Sequence, residues 1–210
     1  MAAVLEPLRH AVAPEPAATG PARVEQARVE QARVEQARVE QIGVEQVFLA
    51  ATVLGGALPP EAENHLRAAG LNYPDDAVAQ RHLAAAAALA PDHAAVLIAR
   101  YRYFFYKGRW AQALAVAGEC LTWAARHLGL PADWQQVRRE AADFDDYDAV
   151  LARFYLFTLK GCAYLHLRLG QLGEGQRAAR KLLELDPQGR LGGQVLLDVL
   201  LRLEQGDDDD

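Results

Sequence analysis

Cysteine is almost missing from this 210-residue chain, with Cys120 and Cys162 the only two. Each sits inside an apolar helical pattern, which predicts buried free thiols in a reducing compartment and not a disulfide framework. β-Branched residues are sparse outside a few valines, and no strands are read. Apolar runs stop short of the ~18 to 20 residues that a membrane span requires. The N-terminus carries Glu6 and Arg9 and no apolar signal core. Secretion is therefore not expected, and the chain is placed in the cytoplasm without a membrane partner. Positive charge is in deficit, at a net −6, which argues against nucleic acid and its need for a basic stripe.

Catalytic and metal motifs are equally scarce. There is no G-x-S-x-G, no P-loop, and no G-x-G-x-x-G after a strand. The six histidines form neither H-x-x-x-H nor H-E-x-x-H. Cys162 and His166 are four apart, but two ligands on one helix face make no site. Asp143, Asp145, Asp146 and Asp148 resemble a calcium loop, yet the glycine is missing and Phe154 stands where the bidentate glutamate belongs. Helix capping and a solvated loop explain these acids better. The expectation is a non-enzyme with no metal and no cofactor.

What the chain does have is helix. Alanine and leucine dominate, and 51% of residues are apolar, enough for a core. Residues 1–21 hold Pro7, Pro14, Pro16 and Pro21 with little to bury, and read as a disordered tail. The pentapeptide ARVEQ then occurs four times from Ala22 to Gln41, with a degenerate fifth copy ending at Gln46. Five residues turn about 500°, so its valines spiral round the helix and form no face. Residues 22–46 therefore read as a solvated helix or spacer. The folded domain is assigned to 42–205, and 206–210 to an acidic tail. Val47, Phe48, Ala51 and Leu54 make a short amphipathic face ending at Gly55-Gly56, a candidate N-terminal cap.

Prolines and glycines punctuate the rest. Helices are expected over Pro60 to Gly70, Ala77 to Leu89, and from a cap at Asp92 to the turn Lys107-Gly108-Arg109. The next runs to Leu128, before Gly129 and Pro131. Ala132 to Tyr147 reads as a polar, acidic insertion with a short helix around Trp134 to Arg139. Helices follow over Asp148 to Leu169, Leu172 to Leu185 and Leu191 to Leu203, the last a C-terminal cap. Pro74 to Gly108, Ala79 to Ala113 and Ala86 to Cys120 are all 34 apart. Both Leu89-Ala90-Pro91 and Leu185-Asp186-Pro187 close a second helix with L-x-P.

This spacing resembles the tetratricopeptide repeat family of helical hairpins. Leu159, Ala163, Gly170, Leu183 and Pro187 fall on its large–small–turn–large–proline signature. The second copy departs from it, with Tyr101 at a small position and Ala125 where proline is usual. The first copy has Arg67 at the small position. The resemblance implies an all-α fold, a short α-solenoid of about three hairpins with capping helices. Three stretches, RYRYFFYKGRW, GLPADWQQV and RFYLFTLKGCAYL, also look like uncharacterised repeat proteins of bacterial nitrogen-fixation gene clusters.

All aromatics except Phe48 and Tyr73 lie between Tyr101 and Tyr164. Phe104, Trp110, Phe154 and Tyr155 are read as core packing. In tetratricopeptide proteins the first helices line a peptide-binding groove. By alignment that implies Asn64, then Arg102, Phe105 and Tyr106, then Phe157, Lys160, Tyr164 and Arg168. Arginine, lysine and aromatics on an acidic protein suit an acidic or aromatic-bearing protein segment. Tyr164 stands where the family's carboxylate clamp needs asparagine, which argues against recognition of a free C-terminus. The expected function is an adaptor or chaperone-like interaction module. A structural or homo-oligomeric subunit and an accessory of nitrogen fixation are the alternatives.

Because the pentapeptide array forms no apolar face, a chain beginning at Ile42 should melt at nearly the temperature of the full chain. A loss above ~2 kcal/mol, the scale of a real packing mechanism, would mean that the array docks.

Overall fold

The computed structural model describes residues 56–146 and 148–206. The N-terminal tail, the pentapeptide array, the Val47–Leu54 segment, the domain start at residue 42 and the acidic tail beyond residue 206 lie outside them. Among the described residues the chain is all helical. α1 (Pro60–Leu71) starts on a proline in its first turn, with Glu61 and Glu63 placed well for the helix dipole. α2 (Asp76–Leu89) is capped by Asp75, whose carboxylate accepts from the Val78 amide at 3.1 Å. α3 (Ala94–Tyr106) and α4 (Trp110–Leu128) meet across Gly108, and α5 (Val150–Arg168) and α6 (Leu172–Leu185) meet across Gly170. Both turn glycines have positive φ, 67° and 71°, which a side chain would resist. α7 (Gly193–Gly206) closes the array.

Consecutive helices pair as hairpins: α1 on α2, α3 on α4, α5 on α6. The hairpins join through α2 on α3 and α4 on α5, and α7 packs on α6 and α5. A structural repeat is visible in what each second helix buries. The fourth residues of α2, α4 and α6 are Ala79, Ala113 and Gly175, all buried. The eighth are Leu83, Ala117 and Ala179, and the eleventh Ala86, Cys120 and Leu182, again all buried. This i, i+4, i+7 stripe faces the partner helix in all three hairpins. α4 is 19 residues long where α2 and α6 are 14, part of the excess over one period.

The core is uneven. The main cluster runs from α3 to α7, with Tyr155, Leu159 and Leu165 fully enclosed. The first hairpin rests on a smaller cluster of Ala69, Ala79, Leu83 and Tyr103. Phe154 and Tyr155 are core residues as expected, while Phe104 and Trp110 are only half-buried at its edge. Both cysteines are buried free thiols, and burial pushes both thiol pKa values up.

Two local expectations are corrected, and a third is extended. Asp92 does not cap α3. His93 does, its Nδ1 accepting from the Ala95 amide, and Asp92 pairs with Arg126 on α4. The aspartates of the insertion are exposed, as expected, though the segment is not loop alone. It holds two 3₁₀ turns, Trp134–Gln136 and Arg139–Ala141, and sinks Val137 and Phe144 into the main core. Lys181 on α6 donates to the Val137 carbonyl at 3.1 Å, and Arg190 to that of Asp145 at 3.0 Å. Finally, α7 starts at Gly193, because Leu191 is spent on a turn in which its amide donates to the buried Asp186 carboxylate.

Within the third hairpin the helices approach closely. A β-carbon on Gly175 would stand 3.2 Å from the Ala163 carbonyl oxygen and 3.1 Å from Leu200. Ala163→Leu should therefore overpack this crossing and destabilise by about 1 to 3 kcal/mol in denaturant melts. Thr122 is exposed, its hydroxyl donating only to the Gly118 carbonyl in its own helix, so Thr122→Ala should change stability little. Equal losses at the two positions would refute this packing register.

Candidate functional site

Two neighbouring surface features involve α3. The first is a basin of rings where α3, α4 and α5 meet. Phe105 sits at its centre, with ring centroids 5.7 Å from each of Tyr101, Tyr106, Trp110 and Tyr164. Trp110 and Tyr164 stand edge to face at 6.5 Å. Two guanidinium groups lie over this surface, Arg168 at 4.8 Å from the Trp110 ring and Arg102 at 5.9 Å from the Tyr106 ring. Such contacts are worth about 0.5–1 kcal/mol each at exposed sites. Tyr101 fits only because Gly161 faces it. A β-carbon there would stand 2.7 Å from the tyrosine oxygen. The bulky residue at a small position of one hairpin is thus matched by a glycine on the next.

The second feature is a cleft of about 800 Å³ between α1 and α3. Glu63, Leu66, Arg67, Ala69 and Gly70 line it from α1, and Ala95, Ala99, Arg102, Tyr103 and Tyr106 from α3. Gly56, Ala57, Leu58, Tyr73, Leu83 and His93 complete the lining. Arg102 and Tyr106 belong to both features.

A polar tie holds the first hairpin beside the cleft. Asp76 at the start of α2 accepts from the Tyr103 hydroxyl at 2.8 Å and pairs with Lys107 at 2.9 Å and with Arg109. The Lys107 ammonium also lies 4.3 Å from the Tyr73 ring centroid. The hydrogen bonds from Lys107 and Tyr103, with the charge of Arg109, hold the Asp76 carboxyl below the usual carboxylate range. Burial, helped by the bond to the Asp76 carboxylate, pushes the Tyr103 phenol up to about 12.

The sequence-derived groove set divides as follows. Phe105, Tyr106 and Tyr164 come together in the ring basin, with Arg102 and Arg168 over it. Phe157 and Lys160 are half-buried on α5, Phe157 against the main core. Asn64 is exposed on α1, where Glu63 and Arg67 are the cleft-lining neighbours and pair with each other at 2.9 Å. Sequence reasoning read Trp110 as core alone and missed that this half-buried ring, packed on the edge of the main core, also takes part in the basin. It also missed the apolar cleft, whose alanines and leucines follow the same period as core positions. Among the described residues no group of three or more His, Cys, Asp or Glu could hold a metal, and no helix is long and apolar enough to cross a membrane.

A protein described as an uncharacterised 19.8 kDa protein in the nifW 5′ region of Azotobacter chroococcum mcd 1 is 40% identical over 126 residues, which is 60% of this chain and 71% of that one. The chain belongs to the same family. No family model matches it, so the tetratricopeptide resemblance rests on the hairpin pattern alone, and no solved structure matches either.

The polar tie sets a pH profile. The stability contributed by Asp76 is present above about pH 4 and is lost as pH falls through the lowered folded value. That from Tyr103 is present below about pH 10 and is lost as pH rises toward about 12. Asp76→Asn should lower the melting temperature at pH 7 and flatten the acid limb. Tyr103→Phe should flatten the alkaline limb. Unchanged limbs in chemical denaturation from pH 3 to 11.5 would show the tie to be idle.

Proposed function

We propose that the chain is a non-catalytic interaction module that takes an acidic, aromatic-bearing segment of a partner protein across the ring basin of α3, α4 and α5. One observation carries this reading. Phe105, Tyr106, Trp110 and Tyr164 meet at a surface where two arginines lie over ring faces, on a chain whose net charge is −6. Rings offer area at little entropic cost, and guanidinium groups supply charge-assisted hydrogen bonds to carboxylates. The half-buried Lys160 on α5 adds a cation on the same helix as Tyr164 and Arg168.

A second reading concerns context. The Azotobacter relative is described by its place in the nifW 5′ region, which favours an accessory role in bacterial nitrogen fixation. Deleting the gene in its host and comparing growth on dinitrogen with growth on ammonium tests it. Equal growth of the mutant and the parent strain on dinitrogen would count against this role.

Binding is tested on peptide arrays graded in acidic and aromatic content, followed by fluorescence anisotropy on the best binder. Lys160→Glu with Arg168→Glu should leave helical circular dichroism intact and weaken that binder by at least about a hundredfold, since a truncated or reversed charge pair at an interface costs several kcal/mol. Arg177→Glu with Arg180→Glu, exposed on α6, is the control and should keep affinity within a factor of about two, as expected of rim charges screened by salt. Loss in the control with retention in the basin variant would move the binding face elsewhere.

A further inference from the structure

The three hairpins share a register, and at one place the first hairpin departs from it. The seventh residue of α4 is Val116 and that of α6 is Ala178, both apolar and buried. The seventh residue of α2 is His82. Nine residues before the turn positions Gly108 and Gly170, the first helices carry Ala99 and Gly161, and nine before Pro74 stands His65. The two exceptions meet. His65 Nδ1 lies 2.9 Å from His82 Nδ1, with ring centroids 5.2 Å apart and ring planes at 40°. Both residues are half-buried, beside the buried stripes of Ala62 and Ala69 on α1 and of Ala79, Leu83 and Ala86 on α2. An apolar pair, as in the other two hairpins, would pack there with no polar atom to satisfy. Paired imidazoles therefore ask for a reason beyond packing.

Their chemistry supplies one. A hydrogen bond needs a donor and an acceptor, so one Nδ1 carries the proton and the other offers its lone pair. Neutral imidazole nitrogens are the commonest metal ligands in proteins. The donor ring frees its Nδ1 by giving that proton to water and taking one on Nε2, so a neutral pair enters coordination with no net loss of protons. Metal–imidazole bonds are about 2.0–2.1 Å long, so two nitrogens 2.9 Å apart meet at a metal at about 90°. That is a cis pair of a square-planar or tetragonal centre, the geometry of Cu²⁺ and Ni²⁺, whereas tetrahedral Zn²⁺ wants a wider bite. The rings now point at one another, and the broad χ2 torsion of histidine lets each tilt toward a common point. Mg²⁺ and Ca²⁺ prefer oxygen ligands and gain little here.

We propose that His65 and His82 form a two-histidine site for a divalent ion of the copper or nickel class, which clamps α1 to α2. Water fills the remaining positions, since among the described residues no group of three His, Cys, Asp or Glu is assembled. The first hairpin rests on the smallest buried cluster, so a bond between its helices adds most there. This proposal does not rest on the partner-binding reading. Neither histidine belongs to the ring basin, and metal and peptide affinities are measured separately.

The test uses the full chain, freed of metal with a chelator and titrated calorimetrically with nickel sulfate, and in parallel with copper, zinc and magnesium sulfates. One site should appear, tightest for copper, then nickel, then zinc, with no heat from magnesium. His65→Ala with His82→Val installs the counterparts that the second hairpin carries, so helical circular dichroism should be unchanged. This double variant should bind nickel at least about tenfold more weakly, and so should each single variant, because one imidazole cannot chelate. His166→Ala, on α5, is the control and should keep affinity within a factor of about two. Nickel at about ten times its dissociation constant should slow amide hydrogen exchange in α1 and α2 about tenfold and leave α5 and α6 unchanged. Nickel affinity retained in the double variant would overturn the proposal, as would binding that leaves exchange in α1 and α2 unaltered. No nickel binding by the parent chain overturns it outright, and zinc bound more tightly than nickel overturns the assignment to a square-planar ion.

Discussion

Two helices approach only as closely as their bulkiest facing side chains allow, and here one position sets that distance three times over. The fourth residue of each second helix is Ala79, Ala113 or Gly175, each small and each buried. The limit is most severe at Gly175, where the facing atom is the Ala163 backbone oxygen, which cannot swing aside. Once this contact fixes the rotation of each helix about its axis, the rest of the pattern follows. The eighth and eleventh residues must turn inward, and Arg102 and Tyr106 of α3 and Arg168 of α5 are carried toward the surface.

The hairpins are not equally secured. From α3 onward a continuous apolar cluster holds the array, and the inserted turns lend it Val137 and Phe144. The first hairpin gives three buried residues to a cluster completed by Tyr103 of α3, and it depends more on polar contacts. Tyr103 shows how the two kinds of force meet. Its ring is buried among Ala69, Ala79 and Leu83, and its hydroxyl reaches the one carboxylate that also gathers Lys107 and Arg109. A buried hydroxyl without that partner would cost free energy, and a carboxylate flanked by two cations is spared much of the cost of partial burial.

Much of this was legible in the sequence because glycine and proline act locally. Pro60, Gly108, Gly129 and Gly170 mark helix ends through backbone geometry that needs no tertiary context. The 34-residue spacing likewise predicts the matching buried stripes of α2 and α4. What escaped was tertiary. Phe144 lies among aspartates, and nothing local distinguishes a docked phenylalanine from a stray one in a solvated loop. Asp92 and His93 can both cap a helix, and the outcome turns on which residue takes the extended backbone conformation, which Arg126 helps to decide by holding Asp92 on α4. The groove residues were placed by family alignment, which assumes equal spacing between hairpins. Three of them converge as rings, but Asn64 belongs to the first hairpin, across the cleft from α3, and the alignment could not anticipate that gap.

The surface rings remain the feature that folding alone accounts for least. Trp123, Phe154 and Tyr155 show that this fold can bury an aromatic to a few percent exposure or less, whereas Tyr106 stays 50% exposed. Leaving apolar area in water forgoes roughly 25 cal/mol per Å². The arginine stems over Trp110 and Tyr106 cover part of that area while their charged ends stay wet. The cation–π contact of Arg168 over Trp110 is by itself a weak hold. A guanidinium over an exposed ring gains about 0.5–1 kcal/mol, whereas a hydrogen bond to a charged group is worth about 1.5–3 kcal/mol. A carboxylate arriving beside an apolar group would therefore outcompete the ring for the arginine, and the ring so uncovered would receive the apolar group. On the proposed reading, the contact of Arg168 with Trp110 that shields the basin in the free protein is the one that a segment carrying both an acid and an aromatic would exchange.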